Sequence, residues 1–503
     1  MTVSHPVEVE LKLALPSEQA ATFLKLMARR RGAPVQQDLV TRYFDTPEFA
    51  LSAQGIALRV RRVGRRWIQT LKTEGERFGG LSVRAEYEMA IARSTPDWNR
   101  FPAEARDRVP EALRAQLVPV FETRFSRTAW LIGSRSGAKI EVMLDVGEVR
   151  AGTRSHPICE IELELKAGQP DSLFELAQGW AHRLDFIPLD VSKAERGVRL
   201  AHDEDPAPVK SVPLSLNSGM SVEDSFAAMC QDCLAQFQAN LPGVLASDDI
   251  EYVHQARVAL RRLRAVLRLY RRACVLPQEL MDGLRMLASA LGPARDWDVL
   301  CGETLPVIAP HHVDADAWQQ GFAVLEAHRI EVRAGMQAAL RQAHPGAWLL
   351  AFQRWLLQHG WRAAPEAQRF AQLSALEAWA RRALKKGHRP IVRGARKFAQ
   401  LQPLQRHALR IAIKRQRYAT EFFMALFASR TAPCYLSALR NAQDSLGRAN
   451  DAHIAFELMK AAQAETGPMG HFALGWLAAK QAEATNGESA GHIRAFMKLK
   501  AYW

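Results

Sequence analysis

In the segment from Val7 to Leu13, Glu8, Glu10 and Lys12 alternate with Val7, Val9, Leu11 and Leu13. At the two-residue repeat of a β-strand the three charges share one face and the four apolar side chains the other. The same split recurs. Arg59 and Arg61 oppose Leu58 and Val60, and Arg84, Glu86 and Glu88 oppose Val83, Ala85 and Tyr87. Glu141 and Asp145 oppose Ile140, Val142 and Leu144, while Glu160, Glu162, Glu164 and Lys166 oppose Ile161, Leu163 and Leu165. For any one strand the plain reading is the solvated face of an antiparallel sheet. Five together argue otherwise, because side-by-side carboxylates on a wet face only repel. A barrel with a charged interior and an apolar exterior under helices suits them all. Such an interior needs counter-charges: a divalent metal for the carboxylates and a polyanion for Lys and Arg. Hard oxygen ligands select Mg²⁺ or Mn²⁺.

A second pattern has helical spacing. His254, Arg257, Arg261, Arg264 and Arg268 form one stripe, with an apolar stripe of Leu260, Leu263, Leu267 and Leu269 beside it. His407, Arg410, Lys414 and Arg417 repeat the basic stripe, and Arg262 and Arg415 add further cations. A solvated surface is the usual fate of a charge run. Here acidic partners one turn away are nearly absent and the stripe occurs twice, which points to a polyanionic partner. The net charge agrees: residues 1–205 hold 30 Lys+Arg against 29 Asp+Glu, whereas residues 206–503 hold 37 against 24. The segment 365–400 is also basic, with Arg381, Arg382, Lys385, Lys386 and Lys397, and extends this path. Cys230-x-x-Cys233 lies in an expected helix with no second pair, so zinc or redox chemistry is set aside. His311 and His312 read as an exposed, Pro-flanked turn.

The elements that must position these residues change character near residue 200. Before it, VEVELKL, ALRVRRV, WIQTLKT, VRAEYEMAI, KIEVMLDVGEV and CEIELELK alternate as strands, and helices are expected near 17–31 and 171–184. Residues 202–219 are rich in Pro, Ser and charge and read as a linker; Ser221 with Asp224 then opens a helical region that runs to 503. That region repeats itself. His254 to Arg264 aligns with His407 to Arg417 at an offset of 153, and Leu291-Gly292-x-x-Arg295-Asp296 aligns with Leu446-Gly447-x-x-Asn450-Asp451 at 155. Within the repeat, Gln416 stands where the first copy has Leu263, and His453 where it has Asp298. The expected organisation is a domain over 1–201, a linker, and a helical domain over 220–503 with copies at about 220–365 and 366–503. The fold class is multidomain α+β. With 48% hydrophobic and 24% charged residues the chain is neither disordered nor fibrous. No apolar run reaches the roughly 18–20 residues of a membrane span. Glu8 and Glu10 sit where a signal peptide is apolar, and six cysteines in 503 residues suit a reducing cytoplasm.

Glu8-x-Glu10-x-Lys12, TRYFDTP at 41–47, ALRVR at 57–61, LKT at 71–73, RAEYE at 84–88, LDVGE at 144–148, CEIELE at 159–164 and SKAERG at 192–197 together resemble the CYTH superfamily of triphosphate tunnel metalloenzymes. The resemblance implies an eight-stranded antiparallel β tunnel with flanking helices that hydrolyses inorganic triphosphate with Mg²⁺ or Mn²⁺. It implies Glu8, Glu10, Glu160, Glu162 and Asp145 as metal ligands. Lys12, Arg59, Arg61, Lys72, Arg84, Arg124 and Lys193 would bind substrate, with Lys12, Lys72, Glu86 and Glu88 in catalytic roles. VHQARVALRRLRAVLRLY with LGPARDWDV, and RHALRIAIKRQRYATEFF with LGRANDAHI, resemble the CHAD domain. That resemblance implies two pseudo-symmetric four-helix bundles whose basic residues bind inorganic polyphosphate: His254, Arg257, Arg261, Arg262, Arg264, Arg268, His407, Arg410, Lys414, Arg415 and Arg417. Protonation of the two histidines would strengthen binding at low pH.

Two other readings stay open on sequence: a non-catalytic polyphosphate-binding or phosphate-sensing scaffold, and a thiamine triphosphatase or adenylate cyclase activity of the same fold. Few aromatic residues interleave the basic stripe, so specific nucleic-acid binding is not expected, nor is a membrane partner. The expected location is cytoplasmic, with polyphosphate granules as a site of association. Hydrolysis is expected to persist in residues 1–205 alone.

Overall fold

The computed structural model describes residues 7–29, 33–134, 137–371, 373, 375–427, 429–483 and 488–503. Ten strands share one sheet: β1 (Val7–Ala14), β2 (Val35–Asp45), β3 (Ala57–Val63), β4 (Arg66–Lys72), β5 (Glu76–Phe78), β6 (Leu81–Ile91), β7 (Val118–Gly133), β8 (Lys139–Ala151), β9 (Arg154–Ala167) and β10 (Ile187–Pro188). The antiparallel order β1-β9-β8-β7-β2-β3-β4-β6 returns to β1 through a β1–β6 pairing, so eight strands close a barrel. Two of the eight, β2 and β7, are absent from the six alternating segments read in the sequence. Short β5 and β10 attach at the side, on β6 and β1.

Closure turns the alternation of each strand into an inside and an outside. Leu11 and Leu13 of β1, Ile140, Val142 and Leu144 of β8, and Ile161 and Leu163 of β9 form one outer face. It is covered by α1 (Ala20–Met27), through Phe23 and Met27, and by α2 (Asp171–Gln178), through Leu173, Phe174 and Ala177. Both helices are shorter than their sequence signals suggested. A second outer cluster, with Leu58, Val60, Leu71 and Tyr87, is roofed by Phe101, Ala105 and Val109. α3 (Lys193–Ala201) starts in a capping box, Ser192 accepting from the Glu195 amide and Glu195 from that of Ser192, which fixes its first turn.

The chain divides into two compact units, one holding residues up to 207 together with 344–358, the other 208–343 and 359–503. Residues 344–358, which the sequence assigns to the helical domain, fold with the barrel. The helices of ten or more residues are α4 (Val222–Ala246), α5 (Ile250–Tyr270), α6 (Gln278–Val299), α7 (Ala315–Gln342), α8 (Pro345–Leu357), α9 (Leu376–Arg396), α10 (Pro403–Phe423), α11 (Ala432–Ala461), α12 (Gln463–Glu483) and α13 (Glu488–Met497). α8 is the exceptional one. Its Leu350 is fully buried in the cluster beneath β1, β8 and β9. Arg354 grips Asp171 of α2 with two bonds of 2.7 and 2.8 Å, and His344 Nδ1 lies 3.0 Å from Asp185. Gly346 permits the approach, since a Cβ there would lie 1.7 Å from the Phe186 carbonyl oxygen.

In the helical unit each copy contributes four long helices, α4–α7 and α9–α12. The fourth helices meet: Trp318 and Leu325 of α7 share a core with Met469, Ala473 and Leu477 of α12. α5 and α10, which carry the two basic stripes, also touch each other.

Because Leu350 fills the barrel's outer core, Leu350→Ala should cost about 2–5 kcal/mol of tunnel stability. Residues 1–207 alone should melt below the full chain or aggregate. Thermal unfolding followed by tryptophan fluorescence checks both, and unchanged melting of the fragment would show that α8 is dispensable.

Candidate active site

The charged faces converge on one cavity of about 420 Å³ inside the barrel. Strand register sets which charges meet. Glu8 lies opposite Arg84 across β1 and β6, and Lys72 opposite Glu86 across β4 and β6. Lys12 lies opposite Glu162 across β1 and β9. Arg127, Asp145 and Glu160 line up across β7, β8 and β9. Ion pairs follow this grid. Glu8 accepts from Lys72 at 2.8 Å and Arg84 at 3.2 Å, and Glu10 from Lys12 and Arg84, each at 2.5 Å. Glu86 pairs with Lys72 at 3.2 Å and Arg59 at 3.4 Å. Glu88 stands 3.4 Å from the Thr70 hydroxyl. Asp145, wholly buried, is held by Arg127 at 2.6 Å and Lys193 at 2.7 Å. Glu162 is held by the same two at 2.6 and 2.9 Å, and Glu160 by Lys193 and Arg196.

These neighbours decide the protonation states. Burial alone would raise the Glu162 carboxyl, but Lys193, Arg127 and Lys12 bring it well below the ordinary range. Burial is likewise outweighed at Glu10 by Lys12 and Lys72, and at Glu86 by Lys72 and Arg59, so both are lowered. The ammonium of Lys193 is raised, because Asp145, Glu160 and Glu162 overcome its desolvation. Arg61 is the exception. Its Nε donates to Thr41 Oγ1 at 3.1 Å, and among the described residues no carboxylate pairs with it. Burial, and then repulsion from Arg59 and Arg127, brings its guanidinium down to about 9. Arg61 is a half-buried cation with no carboxylate bonded to it among the described residues.

The donor set also fits a hard divalent cation. Oxygens of Asp145, Glu160 and Glu162 all lie within 4.8 Å of one another, the only such group of three potential ligands among the described residues. Glu8 and Glu10 line the same interior.

Of the tunnel residues expected from sequence, Glu8, Glu10, Lys12, Arg59, Arg61, Lys72, Arg84, Glu86, Glu88, Asp145, Glu160, Glu162 and Lys193 are brought together. Arg124 is not. It lies on the outer face of β7, is half exposed and pairs with Glu122. The inward guanidinium of that strand is Arg127, three residues on and so on the opposite face. Arg196, one turn into α3, was also missed. Two-residue counting from the buried Phe121, Thr123 and Phe125 would have found Arg127. Glu164 and Lys166 pair with each other at 2.6 Å nearer the rim.

The helical unit holds a second charged surface. Arg257 and Arg261 on α5, and Arg410 on α10, each keep a buried Nε with no hydrogen-bond partner among the described residues. Arg257 passes over Gly292, where a Cβ would come within 3.3 Å of Nη1, and Arg410 passes over Gly447 in the same way at 3.6 Å. The repeated Leu-Gly segment thus makes room for the repeated arginine. Lys414 lies among them; burial, then Arg261, Arg410, Arg417 and Arg257, push its ammonium down to about 7. Other residues expected on this face differ. Arg262 is buried, bound to Asp232 at 2.7 Å and Gln236 at 2.9 Å, and belongs to the packing of α5 on α4. Arg417 has an acidic partner after all, Glu421 at 2.7 Å. Arg264, Arg268, His407 and Arg415 are exposed. Burial, and then Arg295, lower the His254 imidazole, which is therefore neutral near pH 7. Asp298 is buried with Arg329 at 3.2 Å and Arg333 at 3.5 Å, an arrangement His453 cannot repeat. Cys230 and Cys233 are buried thiols pushed up by desolvation. Among the described residues, no helix is long and apolar enough to cross a membrane.

Fold and sites define a class: a closed, charge-lined β tunnel followed by a duplicated helical domain with a cationic face. Comparison with known proteins makes the class particular. Residues 7–198 match the CYTH domain and residues 228–460 the CHAD domain, so the chain belongs to the proteins that join the two. Over 196 residues it is 34% identical to an inorganic triphosphatase of Haemophilus influenzae, covering 38% of this chain and 54% of that protein. The chain thus spans about half the length of this relative. The crystal structure of the CHAD domain from the plant Ricinus communis is 30% identical and superposes with a TM-score of 0.51, covering 59% of this chain and 99% of that one.

Arg127→Ala should lower kcat/KM for the tunnel's reaction at least tenfold, because it strips Asp145 and Glu162 of a shared cation. Arg124→Ala should stay within about twofold of the unmodified protein. Steady-state kinetics on the two variants decides which arginine of β7 serves the site.

Proposed function

We propose that the tunnel hydrolyses inorganic triphosphate to pyrophosphate and phosphate with Mg²⁺ or Mn²⁺ bound. The observation that carries this reading is Arg61, half-buried and without a carboxylate partner among the described residues, beside three clustered carboxylates whose contacts with Lys193, Arg127 and Arg196 a divalent cation could take over. Lys12, Arg59, Lys72, Arg84 and Arg127 already face the cavity and can exchange their carboxylate contacts for phosphate oxygens. Asp145, Glu160, Glu162, Glu8 and Glu10 would hold the metal, which supplies Lewis-acid polarisation of phosphoryl oxygens when bound. Lys12 and Lys72 neutralise charge on the phosphoryl group as water attacks the terminal phosphorus and the P–O–P bond breaks. Glu86 anchors Lys72 and Arg59, and the oriented cations replace the water that the chain loses on entry. Only one aromatic ring, Tyr43, lines the cavity among the described residues, which favours a bare phosphate chain over thiamine triphosphate or a nucleotide. The similarity to the Haemophilus influenzae triphosphatase supports the same substrate.

For the helical domain the reading is binding of inorganic polyphosphate along α5 and α10, where Arg257, Arg261, Arg410 and Lys414 crowd together and three guanidinium N–H groups stay unbonded. Cations held this close suit a dense linear polyanion better than the wider phosphate spacing of nucleic acid. A cytoplasmic location, with recruitment to polyphosphate granules, accords with this role.

Glu8→Gln and Glu10→Gln together should abolish turnover and also lower thermal stability, because Lys12, Lys72 and Arg84 lose buried carboxylate partners. Chelation should abolish turnover of the unmodified protein, and added Mg²⁺ or Mn²⁺ should restore it. Phosphate release from triphosphate is the measurement, and full turnover in the double variant would refute the metal assignment.

Polyphosphate affinity should rise as pH falls through about 7. Lys414 is neutral above that value and gains a proton below it, adding a cation where the polymer binds. Lys414→Arg should bind more tightly than the unmodified protein at pH 8.5 and gain less affinity between pH 8.5 and pH 6, which titrations at fixed ionic strength would show.

A further inference from the structure

The two copies of the helical repeat treat one position in opposite ways. In the first copy Arg262 of α5 is buried, and its guanidinium donates to Asp232 at 2.7 Å and to Gln236 at 2.9 Å, both on α4. The ring of Phe422 from α10 covers it, with its centroid 5.1 Å from the guanidinium carbon. A carboxylate neutralises the charge and an apolar body shields it.

The second copy replaces each of these parts. α9 begins 154 residues after α4, at Leu376 against Val222, and at that offset buried Phe226, Cys230 and Phe237 fall on buried Ala380, Leu384 and Ile391. Asp232 then corresponds to Lys386 and Gln236 to Pro390. At the offset of α5 and α10, Arg262 corresponds to Arg415, and Phe422 to Leu269. Lys386, Pro390, Arg415 and Leu269 all line one cleft of about 440 Å³, within the size range of sites for small ligands. The place that is packed and neutral in the first copy is open and cationic in the second. Arg268, Arg271 and Arg272 add to its charge, and among the described residues no acid lines it. Arg268 and Arg271 repel Arg415, whereas Asp232 attracts Arg262. Apart from Gln416, the rest of the lining is apolar, mostly alanines.

We propose that this cleft binds a small phosphate monoester with an apolar body, its phosphate on Lys386 and Arg415 and its body against Leu269, Ala412 and Pro390. The first copy defines the class. What Asp232 and Phe422 supply there, an anion and an apolar cover, a ligand must supply here. Five cations without an acid suit a dianionic phosphate better than a single carboxylate, and alanine walls suit a body without charge. A bare phosphate polymer offers no such body. The proposal does not rest on the triphosphatase reading of the tunnel.

The test is equilibrium dialysis of the full chain in EDTA at pH 8 with three probes: phenyl phosphate, methyl phosphate, which lacks the apolar body, and phenol, which lacks the anion. Phenyl phosphate should bind at least about fivefold more tightly than either, because its ring leaves water. Lys386→Asp sets an acid beside Arg415 as Asp232 stands beside Arg262, and should erase that preference. Ala412→Leu changes no charge but fills the cleft, and should bring phenyl phosphate down to the level of methyl phosphate. Methyl phosphate or phenol binding as tightly as phenyl phosphate, or a preference for phenyl phosphate that survives either variant, overturns the proposal. Should one variant fail to fold in a thermal melt, the other decides; should both fail, the three probes on the unmodified chain decide alone.

Discussion

A closed wall of eight strands withdraws most of the charge inside it from water, so most of it must be matched within the tunnel. Transferring an isolated ion into such a space is prohibitive unless it is paired and hydrogen-bonded. That constraint accounts for the strand register, in which Glu8 faces Arg84, Lys72 faces Glu86, and Arg127 faces Asp145. It also accounts for the capping box at Ser192, which fixes the helix turn carrying Lys193 to its three carboxylates. The interior is a lattice of opposite charges in which, among the described residues, Arg61 has no carboxylate bonded to it. A ligand that brings both an anion and a divalent cation completes the lattice without opening the wall.

The helical domain solves a related problem by another route. Arg257 and Arg410 are not matched by carboxylates along their stripe but lie over Gly292 and Gly447, where the absent Cβ lets each guanidinium rest close to the neighbouring helix. Duplication brings the two stripes together on α5 and α10, and the cost is visible in Lys414, whose proton is held weakly among four arginines. Where the copies diverge, at Gln416 and His453, the divergence falls on buried or ion-paired positions of the first copy. Such changes alter chemistry rather than surface.

Much of the tunnel was legible because closure needs strict alternation, and strands such as β1, β8 and β9 alternate without a break. β7 was not read as a strand because its buried positions change parity, odd at Phe121, Thr123 and Phe125 and even at Thr128, Trp130 and Ile132. The helical stripe was legible as spacing, but spacing does not say which cations are free. Arg262 sits in the same run as Arg261 yet turns into the core toward Asp232, a partner thirty residues earlier. The allegiance of α8 was hidden for a similar reason. PGAWLLAFQRWLL has the pattern of any packed helix, and its partners Asp171 and Asp185 lie in a segment that reads as part of another domain.

The placement of α8 has a consequence for how the protein comes into being. A chain leaves the ribosome from its N-terminus, and domains ordinarily fold in that order. Here the barrel's strands are all synthesised by residue 188, yet the outer core beneath β1, β8 and β9 waits for Leu350, and Asp171 waits 183 residues for Arg354. The first domain therefore emerges unfinished and is sealed only after the first helical copy has been made. Cutting the chain at the apparent linker would part Leu350 and Arg354 from the barrel core and the Asp171 carboxylate that they meet.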